Sequence, residues 1–597
     1  MPDSLKPRKG LSLALSLLLA AALAAAMTCY AVVFLNWGAY ERFYPPAIAA
    51  VLTPLAALAF MAARAAGARR GRLALHTVTA VLVFAAVLFG VSGVVNNLLH
   101  SGVKLAVFTS FPLCGMLALW LLAKALAPKW RPRWRKPAAG ILALAVLCAA
   151  GVVQYRHVHL PLARPVFSTP DLAQDATRSP GTNEFTLAEA RTFNTALIVE
   201  KGDARRYYFW DSHWDSALHK GETASFRLEA FVDGDWQLVH RGQTMGVQRL
   251  CSFDAVTADR VRVVAEAADG RPVQIKSLAL YNEPKRGAPG FHASVYFPMA
   301  YDRSPRDILD QGEEYARRYA RWFDVYDTVI CIFGVWPDEN GGLYYVESEA
   351  DYERRVQGLK ELIALRGNPN HEVKLLFSIL VQKTSEELEL ILRDHMDELL
   401  ESIQGVVKKY GFDGVDIDYE VPETIAQWKR YDDFMARLDD GMKESNPDAI
   451  LSAALFSWGM GMSKETLERL DQIQYMDYCE PHNALAMPTL EGMQRNVARI
   501  VKAGADPAKV QIGLGTHGYD RGVNWLDLKN ANYWDCIYTE NKVGCSPALA
   551  GDATAYALFS GLGGVMLFHA PGDRMMDDPV SVTGGIERAL NRYVTAW

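Results

Sequence analysis

The chain has 597 residues, 62 Lys and Arg against 68 Asp and Glu, and half of its residues are hydrophobic; that length exceeds what one core holds and implies several domains. Charge is unevenly spread, with 15 basic and 2 acidic residues up to Tyr155 and 47 basic against 66 acidic residues after it. The acidic excess speaks against nucleic acid as a partner, and against a strongly anionic polymer unless a local basic patch overrides it.

The first segment, residues 1–155, holds five apolar stretches at Leu11 to Leu35, Pro45 to Ala63, Leu73 to Leu99, Leu105 to Leu122 and Ala138 to Val153. Each is long enough, or nearly so, to cross a bilayer as a helix, so an α-helical transmembrane region is expected. A cleaved signal peptide is the other reading of the first stretch, but no small-residue cleavage site follows it. Basic residues cluster in alternate loops: Lys6, Arg8 and Lys9, then Arg64, Arg69, Arg70 and Arg72, then Lys124, Lys129, Arg131, Arg133, Arg135 and Lys136. That alternation puts the N-terminus in the cytoplasm and everything from Arg156 outside. The expectation is an integral protein of a bacterial inner membrane with a periplasmic remainder, the bilayer itself being a partner. His76, Asn96 and Asn97 are the notable polar groups of these stretches, which favours an anchor over a transporter.

Five of the eight cysteines, Cys251, Cys331, Cys479, Cys536 and Cys545, fall in that remainder, where disulfides can persist. Cys536 and Cys545 flank a polar segment and could staple a loop; an odd count leaves at least one thiol over. No His/Cys group has zinc spacing, and neither a metal nor another cofactor is expected.

Residues 156–287 show short alternating apolar runs at Asn194 to Glu200, Ser225 to Phe231, Trp236 to His240, Arg260 to Ala265 and Ile275 to Tyr281, the pattern of an all-β sandwich. Asp233-Gly234-Asp235 reads as a hairpin turn. The wording FNTALIVEKG, FRLEAFVDGDWQLVHRGQTMGVQRL, FDAVTADRVRVV and SLALY resembles the discoidin-like (factor 5/8 type C) jelly roll. That resemblance implies a carbohydrate-binding module, with Trp210 and Trp214 available to stack on a sugar; a spacer without a site is the other reading.

From residue 288 to 597 strand-like runs alternate with helical periodicity, the signature of βα units. Eight candidate strands lie at His292 to Phe297, Val329 to Gly334, Lys374 to Val381, Gly414 to Glu420, Ile450 to Ser457, Ile473 to Cys479, Val510 to Thr516 and Gly564 to His569. The fold expected here is an α/β (β/α)8 TIM barrel with its site at the C-terminal strand ends. In Asp413-Gly414-Val415-Asp416-Ile417-Asp418-Tyr419-Glu420 the period of two puts Asp416, Asp418 and Glu420 on one face. Three acids so close cannot all stay ionised, and a retained proton is what glycosidic cleavage needs; Glu420, nearest the mouth, is the natural acid. A hard-cation site is the competing chemistry for such a trio.

DGVDIDYE matches the DxxDxDxE signature of glycoside hydrolase family 18, the chitinase-like enzymes, which this segment resembles from Gly290 to Val594. By position the resemblance implies that Glu420 protonates the leaving oxygen, Asp418 steadies the substrate's acetamido group, Asp416 supports Asp418, and Asp413 with Gly414 is structural. It further implies retention through attack by the substrate's own N-acetyl oxygen. Met476 and Tyr478 in IQYMDYCE resemble the family's sixth-strand Met-x-Tyr, whose tyrosine contacts the acetamido group, and Tyr296 resembles its first-strand aromatic. Ser378 is kept in the third strand, where Leu380 and Val381 replace a glycine pair; Phe568 replaces the tryptophan under the sugar and Cys479 an aspartate. Trp336 and Trp458 are candidate stacking platforms, and His482, His517 and His569 follow strands six to eight.

The expected partner is an oligo- or polysaccharide containing N-acetylglucosamine, cleaved in the manner of a chitinase or an endo-β-N-acetylglucosaminidase. A chitinase-like binding protein and a transglycosylase are the alternatives. Retention of Glu420 favours an enzyme.

Overall fold

Strands with one buried and one open face build an antiparallel sheet from Thr177 to Tyr281. The computed structural model describes residues 162–201, 223–246, 248–267, 269–300, 304–380, 384–419, 422, 425–455, 461–477, 489–516, 536–539, 542–595 and 597. The sheet comprises β1 (Thr177–Arg178), β2 (Glu184–Glu200), β3 (Thr223–Val232), β4 (Asp235–Gly242), β5 (Arg249–Ala267) and β6 (Ile275–Tyr281). Its order is β1-β2-β5-β3-β4, with β6 also on β2. Asp233 and Gly234 join β3 to β4 with φ of 53° and 85°, the two positive values a type I′ hairpin requires. Phe193, Phe226, Leu228, Val261, Ile275 and Leu280 are among the residues that fill its buried face.

Two parts of the expected fold class need correction. Among the described residues the strands form one hydrogen-bonded sheet instead of two: β2 and β5 run 17 and 19 residues, β2 carries β1 and β6, β5 carries β3, and β4 joins through β3. The expected discoidin-like domain therefore has no support from this strand order. The expected transmembrane region is likewise no part of the described fold. No helix among the described residues is long and apolar enough to cross a membrane, and the five stretches between Leu11 and Val153 lie outside those residues. The lipid bilayer as a partner thus has no support from this fold.

The rest is the expected barrel. After β7 (His292–Pro298) come α1 (Pro305–Leu309), α2 (Glu313–Ala320), β8 (Thr328–Ile332), the hairpin β9 (Val335–Pro337) and β10 (Leu343–Tyr345), and α3 (Glu349–Ala364). They are followed by β11 (Lys374–Ile379), α4 (Ser385–Asp394), α5 (Met396–Tyr410), β12 (Gly414–Ile417), α6 (Ile425–Ser445), β13 (Ile450–Leu455), α7 (Lys464–Arg469) and β14 (Gln472–Tyr475). The chain ends with α8 (Leu490–Ala503), β15 (Val510–Gly515), a hairpin of β16 (Cys536–Thr539) and β17 (Lys542–Cys545), α9 (Pro547–Phe559), β18 (Gly564–Phe568) and α10 (Val582–Tyr593). Strands β7, β8, β11, β12, β13, β14, β15 and β18 close into a parallel barrel. Six of them begin at the expected residue and two one residue earlier. The hairpin sets Cys536 opposite Cys545 in register.

Sheet and barrel belong to one compact unit, Leu160–Trp597. At their junction Asp552 of α9, fully buried, accepts hydrogen bonds from His240 Nε2 at 2.9 Å, Arg249 Nη2 at 2.9 Å and the backbone N–H of Ser252 at 2.8 Å. Tyr593 of α10 adds a hydroxyl contact of 2.7 Å to Thr195 on β2.

Candidate active site

The site begins with the way the chain enters β12. Gly411 closes α5 in the left-handed conformation, φ 63°, and its N–H returns to the carbonyl of Val407, the stop that glycine makes without strain. Asp413 then spends its carboxylate on the backbone N–H of Leu375 in β11 at 2.8 Å. Gly414 lies so close to β13 that a Cβ there would stand 2.1 Å from the carbonyl oxygen of Ile450. These contacts fix how far β12 projects, and so the height of the acids that follow.

Asp416 is fully buried in the barrel. Its Oδ2 accepts from the hydroxyls of Tyr296 at 3.0 Å and Ser378 at 2.9 Å, and its Oδ1 from Ser452 at 2.8 Å. Burial pushes the Asp416 carboxyl above its ordinary value, while the Ser452, Ser378 and Tyr296 hydroxyls pull it back. Ser378 and Ser452 stand directly opposite Asp416 in the registers of β11 and β13, so both hydroxyls come from barrel geometry rather than loops. Asp418, also buried, continues past the end of β12, its N–H donating to the carbonyl of Ile379 at 3.0 Å. Tyr431 on α6 is held well above the usual phenol range by burial, then by the charges of Asp416 and Asp418.

Beside the pair the barrel lining is largely apolar. Tyr296, Ile330, Ile332, Leu376, Ala454, Met476 and Met566 form one buried cluster, with Phe333 and Phe568 packed against it. Phe568 is half-buried, its ring 5.6 Å from that of Tyr296. Trp336 sits on the hairpin after β8, edge-on to Tyr344 at 6.0 Å. The structure thus gathers Asp416, Asp418, Tyr296, Ser378, Met476 and Phe568 in one barrel interior, whereas Trp336 stands on the adjoining hairpin. Glu420, Trp458 and Tyr478 lie outside the described residues, as do Val381, Cys479, His482, His517, Trp210 and Trp214. Sequence reasoning missed Ser452. Its signal was a hydroxyl at an inward-facing position of an otherwise apolar strand, Ile450–Leu455.

Residues 305–543 match the model of the glycosyl hydrolases family 18. They form a family 18 glycosyl hydrolase domain. The match omits β7 and β18, which close the family 18 barrel and carry Tyr296 and Phe568. No curated protein matches the chain. Among solved structures, the chain is similar to a chitinase from Bacteroides thetaiotaomicron, at 15% identity over 50% of this chain and 96% of that one, TM-score 0.40. It is also similar to the chitinase-like agglutinin of Robinia pseudoacacia, at 15% identity over 50% and 98%, TM-score 0.39. The Bacillus cereus spore cortex-lytic enzyme SleL matches at 13% identity over 54% and 79%, TM-score 0.38. Likeness at that level adds nothing about what this chain acts on.

Proposed function

We propose that the family 18 domain is a retaining glycoside hydrolase that cleaves β-linked glycans containing N-acetylglucosamine, of chitinase or endo-β-N-acetylglucosaminidase type, by substrate-assisted catalysis. The observation that carries this reading is the buried pair Asp416 and Asp418 at the mouth end of β12, with Asp416 under three hydroxyl donors. One strand alternation further on, the sequence supplies Glu420. In the proposed reaction the acetamido oxygen attacks C1 as the C1–O bond breaks, and Glu420 gives its proton to the departing oxygen. Asp418 stabilises the positive charge of the resulting oxazolinium ion. Water then opens that ion at C1 and returns a proton to Glu420, and Tyr478 orients the acetamido group.

The test is release of reducing ends from a panel of defined glycans, with product anomers followed by NMR. Glu420→Gln is expected to lower turnover by about 10² to 10⁴-fold while ligand binding persists, since the amide keeps the shape and has no acidic proton to give. Full activity in that variant, or efficient cleavage of a plain glucoside, sinks the substrate-assisted reading. Binding without turnover by the unmutated protein would mark it as a chitinase-like binding protein instead.

A further inference from the structure

Of the two serines facing Asp416, Ser452 is, among the described residues, the one backed by a chain of amides. Ser452 Oγ accepts a hydrogen bond from Gln474 Nε2 at 3.3 Å, and the same nitrogen donates to Gln472 Oε1 at 3.0 Å. Gln472 Oε1 also accepts from Gln511 Nε2 at 3.1 Å, and Gln472 Nε2 donates to Thr328 Oγ1 at 3.3 Å. Ser452, Gln474, Gln472, Gln511 and Thr328 are all buried. Barrel interiors are ordinarily filled by branched apolar side chains, so a run of amides rising from the floor to one carboxylate asks for more than packing as its reason.

An amide NH2 can only donate, and a hydroxyl that accepts from it must turn its single proton elsewhere. The proton of Ser452 is thereby aimed at Asp416 Oδ1. The titratable groups around Asp416 are Tyr296 from β7, Asp418 just past the end of β12 and Tyr431 from α6; among the described residues no cation pairs with it. We propose that Gln474 and Ser452 are positioning residues that keep Asp416 ionised through a directed donor relay. With Asp416 charged, the proton shared among the neighbouring acids stays with Asp418 and Glu420, where leaving-group protonation needs it. This last consequence rests on the function proposed above; the relay itself does not.

The test is a ¹³C NMR titration of the full chain labelled at Asp Cγ, alongside pH profiles of kcat and KM on N-acetylglucosamine oligosaccharides. Ser452→Ala should move the Asp416 titration and the acidic limb of kcat to higher pH, and lower kcat about tenfold or more with KM little changed. Ser452→Thr should restore both. Gln474→Leu should shift them the same way by less, and the double variant should behave as Ser452→Ala alone, because Gln474 acts through Ser452. If the alanine variant does not fold, Ser452→Cys fills the same space with a weaker donor and should shift in the same direction. An Asp416 titration that stays put in a folded Ser452 variant, or shifts that add in the double variant, overturns the relay. A chain inactive on every glycan whose Asp416 titration nonetheless moves as described overturns the hydrolase reading and keeps the relay.

Discussion

Leu380 and Phe333, at the ends of neighbouring barrel strands, hold φ of 80° and 66°, a region where a side chain with a Cβ is disfavoured by about 1–2 kcal/mol. Leu380 is also buried, so its packing compensates its backbone. Leu380→Gly and Leu380→Ala both delete that packing, but only glycine relieves the backbone. The glycine variant should therefore be the more stable by about 1 kcal/mol in urea melts, the reverse of the usual order; an alanine variant of equal or greater stability would show the strain is not there. The sequence pointed to this position only as a leucine where similar chains carry glycine. Asp416 and Asp418 were legible because charge at one parity of a buried strand has few explanations. Ser452 was not, because a serine in an apolar run means nothing until the register reveals what faces it.

Strand β12 shows how an element is held at its height. The close approach at Gly414 leaves no room for a methyl group beside the Ile450 carbonyl. Gly414→Ala should destabilise the fold by about 3 kcal/mol or more, since neither strand can retreat within a closed barrel. Wild-type unfolding midpoints in that variant would count against the packing described. The barrel strands were readable at their starts, where apolar runs follow helix stops such as Gly411, and less so at their ends, where the expected spans ran on into the mouth. The six-stranded sheet was misread for a different reason. Alternation tells which face of a strand is buried but not which strand lies beside it, and the long β2 and β5 take partners that no local pattern specifies.

At the scale of the whole described unit, the junction of sheet and barrel is charged and buried. Burial alone would lower the pKa of His240, but Asp552 and, after it, Cys251 together outweigh burial and push the imidazole up to about 10; Arg249 is the other charged group on Asp552. Because the folded value lies above the ordinary 6.5, the contribution of this pair is fully present below that pH and lost as pH rises towards about 10. Thermal melts should accordingly show Tm falling between those limits, and His240→Gln should flatten the fall. A slope unchanged by that substitution would assign it to other groups. The same three donors on Asp552 make the barrel a poor traveller. Copied without the sheet, as a gene fragment or a swapped cassette, it would lose the three donors that hold the Asp552 carboxylate and lay bare the face the sheet covers. A recombination that moved the barrel alone would leave those contacts behind, so the smallest transferable piece of the described unit is larger than its barrel.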